Sequence, residues 1–182
     1  MLTFLKYLIQ LILAPGHGWE DIYRDNPDPD LLLRKGIYPL LGVAAASESL
    51  ALIFDRESTL AGVLIHAISD FGAYFIAIFI ARLIFDMYLG RITVREPDSR
   101  RQGQLIVCGI GLMVLARILC NCVPWHLVIL NFLPVYVVMV LYKDMKYVGV
   151  EPGNEWRWLA LVTCAIVLVP LVIYNLLYLV TQ

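Results

Sequence analysis

Apolar runs long enough to cross a bilayer alternate along this chain with short polar connections. A membrane's hydrocarbon core takes about 20 residues of helix, and the runs at about 36–54, 60–89, 104–120, 125–142 and 159–179 approach or pass that length. The pattern predicts an all-α polytopic transmembrane helix bundle of five spans. Residues 1–35 would be a cytoplasmic or interfacial N-terminal segment and residues 36–182 the membrane domain. The second run exceeds the crossing length, so it should tilt or project into the interface. Pro134 interrupts the fourth run and predicts a kink there. The first run carries Gly42, Ala44, Ala45, Ala46, Ser47 and Ser49. Small residues serve close helix packing rather than lipid contact, which places this span in the middle of the bundle.

Residues 1–13 form a separate amphipathic pattern. Thr3, Lys6, Tyr7 and Gln10 fall on one helical stripe, and Leu2, Leu5, Leu8, Ile9 and Ile12 on the other side. That fits a helix lying in the membrane interface, and equally a short helix packed on the protein's own spans. No basic segment precedes it and Lys6 breaks the apolar run, so it does not read as a signal peptide. Pro15-Gly16 ends it. Asn26-Pro27-Asp28-Pro29-Asp30 is a break with Asp30 as the expected N-cap of the next helix. Trp19, Tyr23, Trp125, Trp156 and Trp158 are the expected interfacial anchors.

The basic residues alternate with the spans. Lys6, Arg24, Arg34 and Lys35 precede the first, and the next connection has only Arg56 between two acids. Arg91, Arg95, Arg100 and Arg101 follow the second span, none follows the third before the fourth, and Lys143, Lys146 and Arg157 follow the fourth. This bias predicts a cytoplasmic N-terminus and an external C-terminus in a cell membrane, bacterial by type.

Composition agrees. Of 182 residues 60% are hydrophobic, and the mean hydropathy is +0.77. That leaves too little polar surface to cover a soluble core of this size. A net charge of -1 excludes a nucleic-acid partner, which would need a basic excess. Cys108, Cys120, Cys122 and Cys164 lack zinc-ligand spacing and read as free thiols.

Several short motifs are shared with a known family. Pro15 is followed by Trp19 and Ile22, and the fourth run ends in Tyr136…Leu141-Tyr142 with Gly149-Val150 after the basic turn. With five closely spaced spans, this resembles the Yip (Ypt/Rab-interacting protein) membrane domain in its compact bacterial form. The resemblance covers nearly the whole chain. It implies an integral membrane protein with a membrane-organising or protein-interaction role and no catalysis. Members that engage small GTPases carry a long cytosolic region, and only about 35 residues precede the first span here, so a GTPase partner is not expected. The expected partners are the lipid bilayer and other membrane proteins or further copies of the chain.

Ionisable residues inside a span are costly and therefore informative. At 1.5 Å per residue, Glu48 lies roughly 18 Å and Arg117 roughly 19 Å from the same side of their spans. His66 and Asp70 are one turn apart in the outer half of the second span, and Asn131 and Asn175 fall at nearby depths. A paired Glu48–Arg117 network is one reading of this layer. A solvated proton- or cation-handling cavity, and hence a small channel or transporter, is another. A zinc site from Glu48, His66 and Asp70 is a third, with Arg117 as an awkward neighbour. Arg82 and Asp86 read as an i, i+4 ion pair at the inner end of the second span. The acids Glu20, Asp21, Asp25, Asp28 and Asp30 lack the spacing of a calcium loop. No catalytic motif is present, so neither enzyme activity nor a metal or organic cofactor is expected.

Overall fold

The computed structural model describes residues 1–54, 59–94, 98–123, 130 and 132–181. Trp125, Asn131 and Arg56 lie outside these residues. The fold is all-α, built from α1 (Leu2–Leu13), α2 (Pro15–Asp25), α3 (Pro29–Phe54), α4 (Leu60–Arg91), α5 (Ser99–Cys122), α6 (Leu133–Tyr142) and α7 (Glu155–Val180). Among the described residues α3, α4, α5 and α7 are the four helices long and apolar enough to cross a membrane. The expected fourth span, 125–142, falls mostly outside the described residues until α6. The chain's course is still fixed on either side of it. Cys122 closes the far end of α5, and by Tyr147 the chain is back at the near end, where Arg101 Nη1 donates to the Tyr147 carbonyl at 2.9 Å. Pro134 stands in the first turn of α6, where its missing N–H costs nothing and starts a helix rather than kinking one.

Proline also explains the two irregular turns inside the spans. Tyr38 donates to the Leu33 carbonyl and Val169 to that of Cys164, five residues back rather than four. Each wide turn stands just before a proline, Pro39 and Pro170. A proline ring clashes with the carbonyl four residues before it, and a π-turn relieves that clash. α3 begins two residues earlier than expected at its cap: Asp28, not Asp30, is the N-cap, accepting from the Asp30 amide at 3.4 Å. Pro29 then occupies the first helical turn, its preferred place.

The central helix is α5, not the first span. In α5, 61% of the apolar window is buried, against 33% in α3. Gly42 of α3 faces open space, where a Cβ would meet nothing within 4 Å, while Gly36 near its start receives Phe4 of α1, 2.5 Å from where a Cβ would stand. The glycines of α5 likewise receive neighbours. A Cβ at Gly103 would lie 2.8 Å from Pro29, at Gly109 2.9 Å from Ile166, and at Gly111 2.8 Å from Phe4. These three positions let α3, α7 and α1 seat directly on the α5 backbone.

α1 forms over Leu2–Leu13 and buries Phe4, Tyr7, Leu8 and Leu11 on the protein's own helices, with Lys6 exposed. Tyr7 and Gln10, read as polar-face residues, instead turn toward α2. The Tyr7 hydroxyl donates to Asp25 at 3.0 Å and the Gln10 amide to Asp21. Gly111→Leu should therefore dislodge α1, at a cost of about 1–3 kcal/mol for overpacking. The check is a lowered melting temperature in detergent with faster proteolysis of the N-terminal segment, while Gly42→Leu leaves both unchanged.

Candidate functional site

Four spans deliver polar side chains to one layer. On α3, Ser47 and Ser49 donate back to the Ala44 and Ala46 carbonyls at 2.7 and 2.6 Å. Such back-bonding competes with the helical ladder, and the helix tightens to a 3₁₀ turn at Glu48–Leu50. This turn carries the Glu48 carboxylate to α5. There Arg117 Nε lies 3.2 Å and Nη2 3.1 Å from Glu48 Oε1. The same Nε donates to Asp70 Oδ2 of α4 at 2.7 Å. The expected Glu48–Arg117 pair is thus a triad. The side chains of Glu48 and Asp70 are only 10% and 5% exposed, so water does little to screen them.

The layer extends both ways from the triad. One turn beyond Arg117, Asn121 Nδ2 donates to Glu48 Oε1 at 2.7 Å and to Ser47 Oγ at 2.9 Å. On the other side, the Tyr174 ring lies 5.2 Å beneath the Arg117 guanidinium, within cation–π range. The Tyr174 hydroxyl is 2.7 Å from His66 Nδ1, and the His66 ring stacks on Tyr178 at 5.1 Å. Glu48, His66, Asp70 and Arg117 are therefore brought together as the depth argument expected.

Asn175 is not part of the layer. It is the neighbour of Tyr174, faces outward, and donates to the Leu171 carbonyl of its own helix at 2.7 Å. Asn131 lies outside the described residues. The network's other members, Asn121, Tyr174, Tyr178 and Ser47, the last read from the sequence only as a small packing residue, complete the layer. Asn121 could have been found in the sequence: it stands four residues after Arg117, on the same helical face. Tyr174 could not, because an aromatic in an apolar span carries no polar signal of its own.

Toward the C-terminal end of α4 the expected Arg82–Asp86 pair is replaced by contacts between helices. Arg82 Nη2 lies 3.3 Å from Asp30 Oδ1 of α3, and Asp86 accepts from Gln102 Nε2 of α5 at 2.6 Å. Both partners lie across helix boundaries, so i, i+4 spacing could not reveal them. The acidic stretch is dispersed in the same way. Asp21 pairs with Arg24, Asp25 accepts from Tyr7, Asp28 caps α3, and Asp30 holds Arg82.

Among the expected interfacial anchors that lie within the described residues, only Trp156 stands clear of the protein, 69% exposed. Trp19 is fully buried and donates Nε1–H to the Val140 carbonyl at 2.9 Å. Trp158 is fully buried edge-on to Phe85. Tyr23 stacks on Trp19 and donates its hydroxyl to Asp144 Oδ1 at 2.6 Å. These three belong to the core, because α2 and the start of α7 fold onto the bundle rather than lying beside it. Trp125 lies outside the described residues.

Asp144, just past α6, is a buried acid. It is wholly buried, and its Oδ2 has no hydrogen-bond partner. Burial pushes its carboxyl from the usual 3.8 up to about 7, against the opposing pull of the Tyr23 hydrogen bond and Arg101. Arg101 lies 5.5 Å over the Tyr23 ring. The Tyr23 hydroxyl is itself raised well above its ordinary range, by burial and by its acidic partner.

No family model, curated protein or solved structure matches this chain.

Proposed function

We propose that this integral membrane protein is a membrane-organising or protein-interaction component of the Yip type, without catalysis. The observation that carries the reading is a polar layer turned in on itself. Arg117 spends its guanidinium on Glu48, Asp70 and the Tyr174 ring, and Asn121 takes up another lone pair of Glu48. Such a layer fixes helix register. The motif residues support the resemblance. Trp19 of the entry motif bonds to Val140, inside the exit motif, and Tyr136 of the exit motif bonds to the Ile12 carbonyl beside the entry. Gly149 of the exit motif has the positive φ of 79° that closes a helical turn.

The alternation of Lys and Arg places the N-terminus in the cytoplasm and the C-terminus outside, in a bacterial cytoplasmic membrane. The partners are the lipid bilayer and other membrane proteins or further copies of the chain. A second reading rests on one observation. A single guanidinium serves two carboxylates, and the His66–Tyr174 contact adjoins them, as a path for protons or cations would require. Flux into proteoliposomes separates the two readings. The first predicts proton and potassium leaks equal to those of protein-free vesicles. The second predicts a leak that Glu48→Gln abolishes, and that result would displace the first.

A further inference from the structure

On the outer flank of the bundle, α4 and α7 diverge around a groove of about 590 Å³. Its lining repeats with helical spacing on both sides: Ile84, Tyr88 and Arg91 from one helix, Arg157, Leu161 and Cys164 from the other. Side chains three or four residues apart share a helix face, so each wall is a single stripe running from a charged end to an apolar end. On each wall seven residues separate the arginine from the last apolar position, a drop of about 10 Å at the helical rise. The groove is therefore graded, with two guanidiniums at its mouth and hydrocarbon below.

The mouth is held in place by the backbone. The Val94 amide donates to the Gly149 carbonyl at 3.1 Å, and the Glu151 amide to the Ile92 carbonyl at 2.9 Å. This antiparallel bridge ties the end of α4 to the connection that leads into α7, and so sets Arg91 beside the first turn of α7. Arg91 rests 5.5 Å over the Tyr88 ring. Neither Arg91 nor Arg157 has a carboxylate partner among the described residues. Trp156 and Tyr88, 69% and 47% exposed, flank the opening, as aromatic side chains do at head-group level. Three other arginines near this end are engaged: Arg82 on Asp30, Arg100 on the Asn26 carbonyl, and Arg101 on Asp98 and Tyr147.

We propose that this groove is a binding site for one anionic glycerophospholipid. Its phosphate is held by Arg91 and Arg157, and the upper part of an acyl chain lies against Ile84, Leu161 and Cys164. The charge complementarity selects the occupant. Two guanidiniums at one depth, without a carboxylate partner among the described residues, recognise a phosphate, and planar donors suit its oxygens. A zwitterionic lipid would bring its own cation to the same mouth. A second protein helix would leave both arginines facing an apolar surface. The site does not depend on the function proposed above, since it lies at the other end of α4 and α7 from the polar layer.

The test is native mass spectrometry of the purified full chain, released from detergent and titrated with phosphatidylglycerol, phosphatidylcholine or inorganic phosphate. The expected result is one phosphatidylglycerol retained with at least tenfold preference over phosphatidylcholine, and no adduct with inorganic phosphate, which lacks the chain. Arg91→Ala/Arg157→Ala should abolish the preference. Lys143→Ala/Lys146→Ala, which removes the same charge from the same end, should keep it. Unchanged circular dichroism and melting temperature would show that both double variants fold. Equal retention of both lipids by the native protein would overturn the site, and so would an unchanged preference in the arginine variant or its loss in the lysine variant.

Discussion

Arg117→Met is expected to be the most damaging single substitution in the membrane domain, costing about 3–5 kcal/mol, because it strands two buried carboxylates without a cation. Asp70 and Glu48 are not equivalent beside it. Asp70 makes the shorter contact, 2.7 Å against 3.2 Å, and is the less exposed. Asp70→Asn leaves Arg117 with its longer partner, so its cost should be intermediate. Glu48→Gln leaves a one-to-one Arg117–Asp70 pair and still offers Asn121 an acceptor, so its cost should be smallest. A simple Glu48/Arg117 double change would not rescue stability, because Asp70 would remain alone. Rescue requires the triple Glu48→Gln/Asp70→Asn/Arg117→Met, which removes all three charges. Melting temperatures in one detergent, measured for the single, double and triple variants, check this order. A double variant as stable as the triple would show that Asp70 does not belong to the network.

Asp144 predicts a pH dependence of a definite sign. Its carboxyl sits near 7 in the fold, above the 3.8 it has when unfolded. Between those values the folded state holds a proton that the unfolded state has released. Stability is therefore full below about pH 4 and falls as pH rises toward 7, where the charged form must be buried. The difference of about three pH units corresponds to a loss on the order of 4 kcal/mol at pH 8. Asp144→Asn mimics the protonated side chain, keeping an oxygen for the Tyr23 hydroxyl. Denaturant or thermal unfolding at pH 4.5 and pH 8 should find the variant close to the native protein at the lower pH and more stable at the higher. A native protein equally stable at both values would contradict this. Tyr23→Phe should steepen the loss, because Tyr23 is the only hydrogen-bond donor to that carboxylate among the described residues.

The sequence was most legible where a single dimension governs. Apolar run lengths located α3, α4, α5 and α7, because a helix rises by a constant amount per residue and a membrane has one thickness. The same rise placed Glu48 and Arg117 at one depth, and the structure brings them into contact. What depth cannot give is azimuth. Asn175 lies at a suitable depth, yet it faces outward while Tyr174 beside it faces Arg117. Partners across helices were hidden for the same reason. Arg82 prefers Asp30, and Asp86 prefers Gln102, over each other.

Packing was misread where residue type was taken without its neighbours. The alanines and serines of α3 suggested a central span, but the glycines of α5 accept Pro29, Ile166 and Phe4. Trp19 and Trp158 were read as membrane anchors because tryptophan favours the interface, yet both fill the core. Each has a large apolar ring that the bundle can bury, and for Trp19 a backbone carbonyl satisfies the indole N–H.

The central claim is that the Glu48–Asp70–Arg117 layer is a closed structural network rather than a solvated passage. It is tested most directly by a cysteine at its heart. Glu48→Cys, in a background with Cys108, Cys120, Cys122 and Cys164 replaced, leaves Arg117 paired with Asp70 and so preserves the fold. A membrane-impermeant cationic thiol reagent, applied in turn to each side of sealed vesicles, should leave this cysteine unmodified while labelling an exposed control at Glu155→Cys from its own side. Modification of the cysteine at position 48 at a rate comparable to that control, from either side, would contradict the account and point to a water-filled path.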